Sequence, residues 1–410
     1  MGNYRPILIV LWLSSLVALA SCVSTNVAPI DVSGSRFEGE EDEKRIWRSS
    51  EEIERRIDKS GLLYEDRELE VYLNGIVRKL LANKLQGAGI TTRVKVIRHP
   101  LINAFALPHG TIYFHTGMLA RMENEAQFAT VLGHELVHFI HRHALKEMRT
   151  VQNKVVFLRI MQLLLAASAG AYGGAQAATA VGQLTGEVGA LWALASISGH
   201  SKESETEADE EGFRAMVQAG YDPTESLRVF EHLQQEMDER KINEPFFFGT
   251  HPRLQERVEN HQRLIGSQDG NRAMVARRTN NSQEFLSRIS KLLLDNAVLD
   301  LEIGRFKTAH SAIDRHLKLE PANARAHFLL GEVHRRSGRD QVYIEQAIAA
   351  YREASHLNPA YADPHRELGL LYRAQNRMEE ARAEFEKYLA LSPKAVDSPI
   401  IQGYLAEIRR

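Results

Sequence analysis

The chain has 410 residues, 44% hydrophobic and 25% charged, a globular composition that excludes a wholly disordered, collagen-like or polytopic membrane chain. A formal net charge of −2 leaves no basic field to gather phosphates and argues against nucleic acid as a partner. The single cysteine excludes an intrachain disulfide framework and a multi-cysteine zinc knuckle, so any metal site must be built from His and carboxylates.

Arg5 precedes an apolar run from Ile7 to Ala20. At about 14 residues it has the length of a signal-peptide core and falls short of the roughly 20 that a bilayer span needs. It ends in Leu19-Ala20-Ser21-Cys22, which resembles the bacterial lipobox. Residues 1–21 then form a lipoprotein signal peptide, and Cys22 becomes a lipidated N-terminus. Val23 in place of Asp favours, by the same resemblance, the outer membrane over the inner one. Residues 22–36 have no helical period and read as a tether, placing the body on the periplasmic side, anchored by lipid.

Ile46, Ile53 and Ile57, then Leu69, Leu73, Ile76, Val77 and Leu80, recur at helical spacings. Arg93 to Ile97 alternates as a strand does, and a second extended stretch, Asn103 to Phe114, is interrupted by Pro108-His109-Gly110. A helix is predicted from about Glu123 to Met148, capped by Asn124. Residues 155–199 are rich in Ala, Gly and Leu, but Arg159, Gln162, Gln176, Gln183 and Glu187 leave no apolar run of about 18 residues. They read as a helical hairpin or lid rather than a membrane span. Another helix runs from about Ser201 to Ala219 and stops at Gly220-Tyr221-Asp222-Pro223.

From about Phe285 the chain repeats. Gly304, Gly338 and Asn376 align, as do Pro321, Pro359 and Pro393, and Leu330-Gly331 matches Leu368-Gly369. The proline steps are 38 and 34 residues, and a four-residue insertion near Asp340 to Tyr343 accounts for the difference. This is the tetratricopeptide pattern of paired helices, about three repeats over 285–410, whose stacking offers a concave face to a protein partner. The organisation is a domain over 37–270 that carries the zinc-hydrolase motif Gly133-His134-Glu135-Leu136-Val137-His138, hence a metallopeptidase domain, followed by that array. The fold class is mainly α, zincin-like with a small β-sheet, then all-α.

Gly133-His134-Glu135-Leu136-Val137-His138 carries the chemistry. His134 and His138 lie one turn apart on one helical face, so both imidazoles can bind one ion, and Glu135 sits beside them to handle water. His141 shares the face but stands roughly 10.5 Å along the axis from His134, beyond reach of that ion, and His143 points to the opposite side. The metzincin pattern requires Gly at 141 and His at 144, where this chain has His141 and Ala144. On the next helix Ala208, Gly212, Ala215, Met216 and Ala219 mark a buried stripe. Glu205 and Asp209 fall within it or at its edge, while Glu203, Glu207 and Glu210 face away. A carboxylate on a buried stripe needs a partner. Zinc is such a partner for Glu205, and Asp209 can accept from the remaining nitrogen of a ligating histidine.

Asn103-Ala104-Phe105-Ala106-Leu107-Pro108, the His134 motif, Glu205-Thr206-Glu207-Ala208-Asp209 and Thr250-His251-Pro252 occur in this order. Together they resemble the peptidase family of the CAAX-prenyl endopeptidases and the periplasmic BepA-type proteases, and the repeats resemble the BepA-type form in particular. The resemblance implies one zinc ion on His134, His138 and Glu205, with Glu135 as general base and acid. His251 has two candidate roles, a donor to the tetrahedral oxyanion or a fourth ligand that closes the resting site, and the resemblance favours the second. His109 departs from the family's usual glycine. Asn103, Ala104, Phe105 and Ala106 are placed to pair with a substrate strand. The function implied is a zinc endopeptidase of the bacterial envelope that degrades or edits misfolded or unassembled outer-membrane or periplasmic proteins. Its repeats would meet the outer-membrane assembly machinery. The competing reading is a chaperone-like assembly scaffold with minor or no proteolysis.

Overall fold

The computed structural model describes residues 26–30, 37–82, 84–85, 88–149, 200–240, 254–267, 278–338 and 340–408. Cys22, the segment 155–199 and His251 lie outside the described residues.

Two amphipathic helices open the body: α1 (Glu41–Lys59), which buries Ile46 and Ile57, and α2 (Arg67–Leu81), which buries the predicted stripe from Leu69 to Leu80. Asp66 caps α2 by accepting from the Leu69 N–H, and Asn74 reaches the backbone of Val94 at 2.9 and 3.1 Å, fixing the helix to the sheet. In that sheet β1 (Arg93–Ile97) runs parallel to β3 (Thr111–His115), and β2 (Ala104–Ala106) pairs antiparallel on the other side of β3. The order β1-β3-β2 leaves β2 at an edge of the described sheet. Gly110 turns the β2–β3 hairpin at φ +104, where a side chain would be strained. His109 of the same turn meets Glu54 of α1 at 2.6 Å, and Arg93 and Lys95 reach that carboxylate too. Burial alone would raise Glu54; the hydrogen bonds from Lys95, His109 and Arg93 hold its carboxyl at about 2 instead. The unexpected histidine therefore latches the hairpin to α1.

After the short α3 (Thr116–Leu119), α4 (Glu125–Ile140) starts at the predicted Asn124 cap and is buried along nearly its whole length. The sequence pattern continues this helix to Met148. In the structure it ends at Ile140, because Arg142 adopts a left-handed backbone with φ +57 and its guanidinium is held by Glu43 at 2.8 Å and the Ala28 carbonyl at 3.2 Å. α5 (His143–Arg149) begins beyond the break, so His143 turns back toward His138 rather than away from it. Tertiary anchoring overrides local periodicity here. The Ile30 N–H caps the Ile140 carbonyl at 2.8 Å, while Val27 packs on Ile46 and Leu145, and Ile30 on Leu85 and Phe139. Residues 26–30 are thus docked on the body, although the sequence reads them as tether.

α6 (Lys202–Gln218) is capped by Ser201 and stops before Gly220, at φ +87; α7 (Thr224–Arg240) and α8 (Leu254–Ser267) complete the described body. The repeats follow as three helix pairs, α9 (Ser282–Glu302) with α10 (Phe306–Leu319), α11 (Ala324–Ser337) with α12 (Gln341–Leu357), and α13 (Ala362–Ala374) with α14 (Met378–Leu391). α15 (Ser398–Ile408) covers the last pair. Gly331 and Gly369 stand where a Cβ would lie 2.4 Å from the Tyr351 ring and 2.5 Å from the Phe385 ring, which is why the recurrent position is glycine.

One apolar cluster runs from Leu73, Phe114 and Phe128 of the body through Phe285, Ile289 and Leu293 of α9 to Ile313 and Val333. A second, separate cluster holds Tyr351, Phe385 and Ile401. The first repeat pair therefore shares the body's core, and Thr116 with Asn296 (2.9 Å) and Arg121 with Asp300 (3.1 Å) add polar ties across the same face. Among the described residues no helix is long and apolar enough to cross a membrane.

Candidate metal centre

α4 and α6 cross at Gly133 and Gly212. A Cβ on Gly212 would stand 2.8 Å from the His134 nitrogen, and one on Gly133 3.0 Å from the Gly212 carbonyl, so the two backbones meet with nothing between them. This crossing carries the predicted side chains into one place. His134 Nε2 and His138 Nε2 are 2.9 Å apart, and the Glu205 carboxylate lies 3.5 Å from the first and 3.3 Å from the second. A tetrahedral ion with bonds of about 2.0–2.2 Å sets its ligand atoms roughly 3.4 Å apart, so this donor set has the spacing and the chemistry to hold zinc. Glu135 follows His134 on the same buried helix.

Asp209 receives the other edge of His134: its Oδ1 is 2.9 Å from His134 Nδ1, the contact the sequence periodicity anticipates. The same carboxylate is held by Arg257 of α8, through Nη2 at 2.6 Å and Nε at 3.1 and 3.2 Å, with His261 at 3.7 Å. Burial would raise Asp209, but the Arg257 guanidinium, helped by the two histidines, keeps it well below the usual carboxylate range. Burial, followed by Arg257 and His138, pushes His134 well below the ordinary imidazole value, which leaves a neutral ring able to offer a lone pair.

His138 is held differently. Its Nδ1 is 2.7 Å from His143 Nδ1, His143 Nε2 is 2.9 Å from Glu207, and the His200 ring stacks on its face at 3.7 Å. Burial lowers His143 to about 4 despite the acid beside it. Glu207, which the sequence places facing away, instead meets the turn between α4 and α5, where His141 Nδ1 also reaches it at 2.9 Å. His141 Nε2 pairs with Glu211 at 3.0 Å, and the ring stays outside the donor set, as the distance argument expects. A cleft of about 850 Å³ opens beside these groups, lined by His200, Lys202, Glu205, Asp209, Arg257 and Arg263.

Sequence reasoning missed Arg257, His261, His143 and His200. For Arg257 and His261 a signal existed: Leu254, Val258 and His261 trace the buried stripe of α8, with Arg257 beside it, the same logic that singles out Glu205. For His143 no signal existed without the break at Arg142. Among the substrate-strand residues, Asn103, Ala104 and Phe105 are buried and Ala106 half-buried, with β2 packed on α4.

With this geometry in view, the model of peptidase family M48 matches residues 68–265, and tetratricopeptide repeats match 294–342 and 344–396. Residues 68–265 are an M48 peptidase domain. Mitochondrial metalloendopeptidase OMA1 of Arabidopsis thaliana is 32% identical over 35% of this chain and 26% of its own length. The Saccharomyces cerevisiae protein of the same name is 29% identical over 43% of this chain and 48% of its own. The beta-barrel assembly-enhancing protease of Escherichia coli K12 is 26% identical over 48% of this chain and 39% of its own. The chain thus spans between 26% and 48% of the length of these relatives. The M48 match and these names support a metalloprotease, and the M48 domain contains every described residue of the centre.

Proposed function

We propose that the protein is a zinc-dependent endopeptidase of the bacterial envelope that degrades or edits misfolded or unassembled outer-membrane or periplasmic proteins. The observation that carries this is the convergence of His134 Nε2, His138 Nε2 and the Glu205 carboxylate at ligand spacing, with Glu135 in the next position of the same helix. In this reading His134, His138 and Glu205 hold the ion. When bound, zinc supplies Lewis acidity at the scissile carbonyl and lowers the pKa of water. Glu135 takes a proton from the attacking water as the C–O bond forms, then delivers it to the amide nitrogen as the C–N bond breaks, releasing a carboxylate and an amine. Asp209 keeps the His134 proton on Nδ1, and Arg257 keeps Asp209 charged. Edge strand β2, on the helix that carries the histidines, supports pairing of Asn103 to Ala106 with an extended substrate. His251 is proposed as the group that closes the fourth position at rest. Lipid on Cys22 would hold the body at the outer membrane, and the repeats would engage clients or the assembly machinery. The name of the Escherichia coli relative supports that setting.

The test is Glu135→Gln in the full chain. Cleavage of an unfolded outer-membrane barrel should fall roughly 100- to 10,000-fold while the zinc content stays at one per chain. Undiminished degradation by this variant would sink the protease reading and leave the scaffold reading standing.

A further inference from the structure

The two histidines of the centre rest on unlike supports. His134 leans on a buried carboxylate that Arg257 neutralises, whereas His138 leans on a second imidazole, His143, and through it on Glu207, whose side chain is 39% exposed. We propose that His143 and Glu207 form a relay that sets the tautomer of His138 and aims its Nε2 lone pair at the ion; both are positioning residues.

The chain of hydrogen bonds admits one assignment when read from its acidic end. An ionised carboxylate only accepts, so at 2.9 Å from Glu207 the His143 Nε2 must carry a proton. A neutral His143 then has its lone pair on Nδ1, and at 2.7 Å that lone pair requires N–H on His138 Nδ1. Neutral His138 is left with a lone pair on Nε2, the atom 3.3 Å from the Glu205 carboxylate. The far end of the relay thus yields the protonation state that metal binding requires, and it leaves the Nε2 lone pairs of His138 and His134 facing each other at 2.9 Å, a contact that a shared ion would relieve. The opposite tautomer of His143 would force the proton onto His138 Nε2 and remove the ligand.

Two further observations favour positioning over mere packing. His200 covers the face of His138 at 15° between ring planes, so with His143 on its edge the ring has neither tilt nor rotation left. His143 Nε2 stands 2.9 Å from Glu207, hydrogen-bond length, where the Glu205 carboxylate stands 3.5 and 3.3 Å from the ligand nitrogens of His134 and His138. The contact of His143 with Glu207 carries a proton; the two contacts of Glu205 are spaced for an ion.

The inference rests on His138 being a ligand, and the experiment separates the two claims. Zinc affinity of the full chain is measured by competition with a chromophoric chelator for the unaltered protein and for His143→Leu, His143→Asn and Glu207→Ala. His143→Leu keeps the bulk but offers no acceptor, and should bind zinc roughly 10- to 100-fold more weakly. His143→Asn places an amide oxygen near the lost Nδ1 and should recover most of that loss, although it fills the buried site worse. Glu207→Ala should fall between the unaltered chain and His143→Leu. Thermal melting of the metal-free proteins gives the packing cost separately, and the cobalt-substituted visible spectrum should be normal in His143→Asn and altered in His143→Leu. The relay is overturned if His143→Leu binds zinc as the unaltered chain does, or if His143→Asn is as weak as His143→Leu while melting normally. If the unaltered chain takes up no zinc, it is the metal-centre reading that fails.

Discussion

The body and the repeat array both bring helices together at glycine, but to different ends. At Gly133 and Gly212 backbone meets backbone, and the crossing delivers His134 and Glu205 to one point. At Gly331 and Gly369 backbone meets an aromatic ring, Tyr351 or Phe385, and the crossing does no more than stack one helix of a pair on the other. A backbone cannot yield, whereas a ring has a rotamer to change. Close approach in the body is therefore coupled to chemistry, and in the repeats to shape alone.

The largest effect expected comes from testing where the two regions part. Ending the chain after Gln283 removes Phe285, Ile289, Leu292 and Leu293, all buried in the cluster that contains Phe128. At about 1.5–3 kcal/mol for each such side chain the loss rivals the roughly 5–15 kcal/mol that holds a domain together. That truncation should yield no cooperative melt by circular dichroism. Ending the chain near Asp340 keeps this cluster and discards the separate one around Phe385, so the melt and the bound zinc should both survive.

Next in size is Arg257→Met. It leaves the Asp209 carboxylate buried without its guanidinium, a change that costs roughly 3–5 kcal/mol when one partner of a buried pair is removed. Urea unfolding of the metal-free chain should show it, and zinc should bind more weakly because His134 loses a charged acceptor. A metal-free stability equal to that of the unaltered chain would mean Asp209 is protonated and that the proposed support for His134 is wrong.

Gly212→Ala and Gly369→Ala test the opening contrast directly. Each forces a methyl into occupied space, and each should cost about 1–3 kcal/mol, the usual range for overpacking. Only Gly212→Ala should lower zinc affinity, since its Cβ pushes on the His134 backbone. Equal zinc affinity in the two variants would show that the crossing of α4 and α6 can shift without moving the ligands.

What the sequence made legible follows the same division. The stripes of α1 and α2, the interruption at Pro108-His109-Gly110, the cap at Asn124, the helix start near Ser201 and the repeat glycines are readable because each depends on neighbours in the chain. His134 and His138 are readable from the spacing of their motif, and Glu205 and Asp209 because helical periodicity puts them on a buried face that demands partners. The break at Arg142 was not, because its cause is Glu43 and Ala28, both about a hundred residues away. With the break unseen, His143 takes the wrong face, and Glu207, off the buried stripe as its period places it, goes without the partner it finds in His143. Residues 26–30 fail for a like reason: five residues have too little periodicity to reveal that Val27 and Ile30 are buried.

The smallest effect concerns the latch that the departure at His109 creates. Glu54 sits at about 2 in the folded chain against an ordinary 4.5. As pH falls below about 4.5 the unfolded chain binds a proton at this position before the folded chain does, so the stability Glu54 contributes above that pH is lost progressively down to about 2. Glu54→Gln cannot titrate, and its unfolding free energy should fall less steeply across that window even though it starts lower at neutral pH. Two of the carboxylate's partners, Arg93 and Lys95, belong to β1, while His109 and Thr111, whose hydroxyl donates to it at 3.2 Å, belong to the hairpin of the edge strand. His109→Gly, which restores the residue the resemblance leads one to expect, should therefore loosen the hairpin while leaving β1 attached. Hydrogen exchange should then quicken at Ala106 to Thr111 and stay slow at Val94 to Ile97. Unchanged exchange in the hairpin would mean that its pairing with β3 alone holds it, and that the histidine adds nothing to the placement of β2.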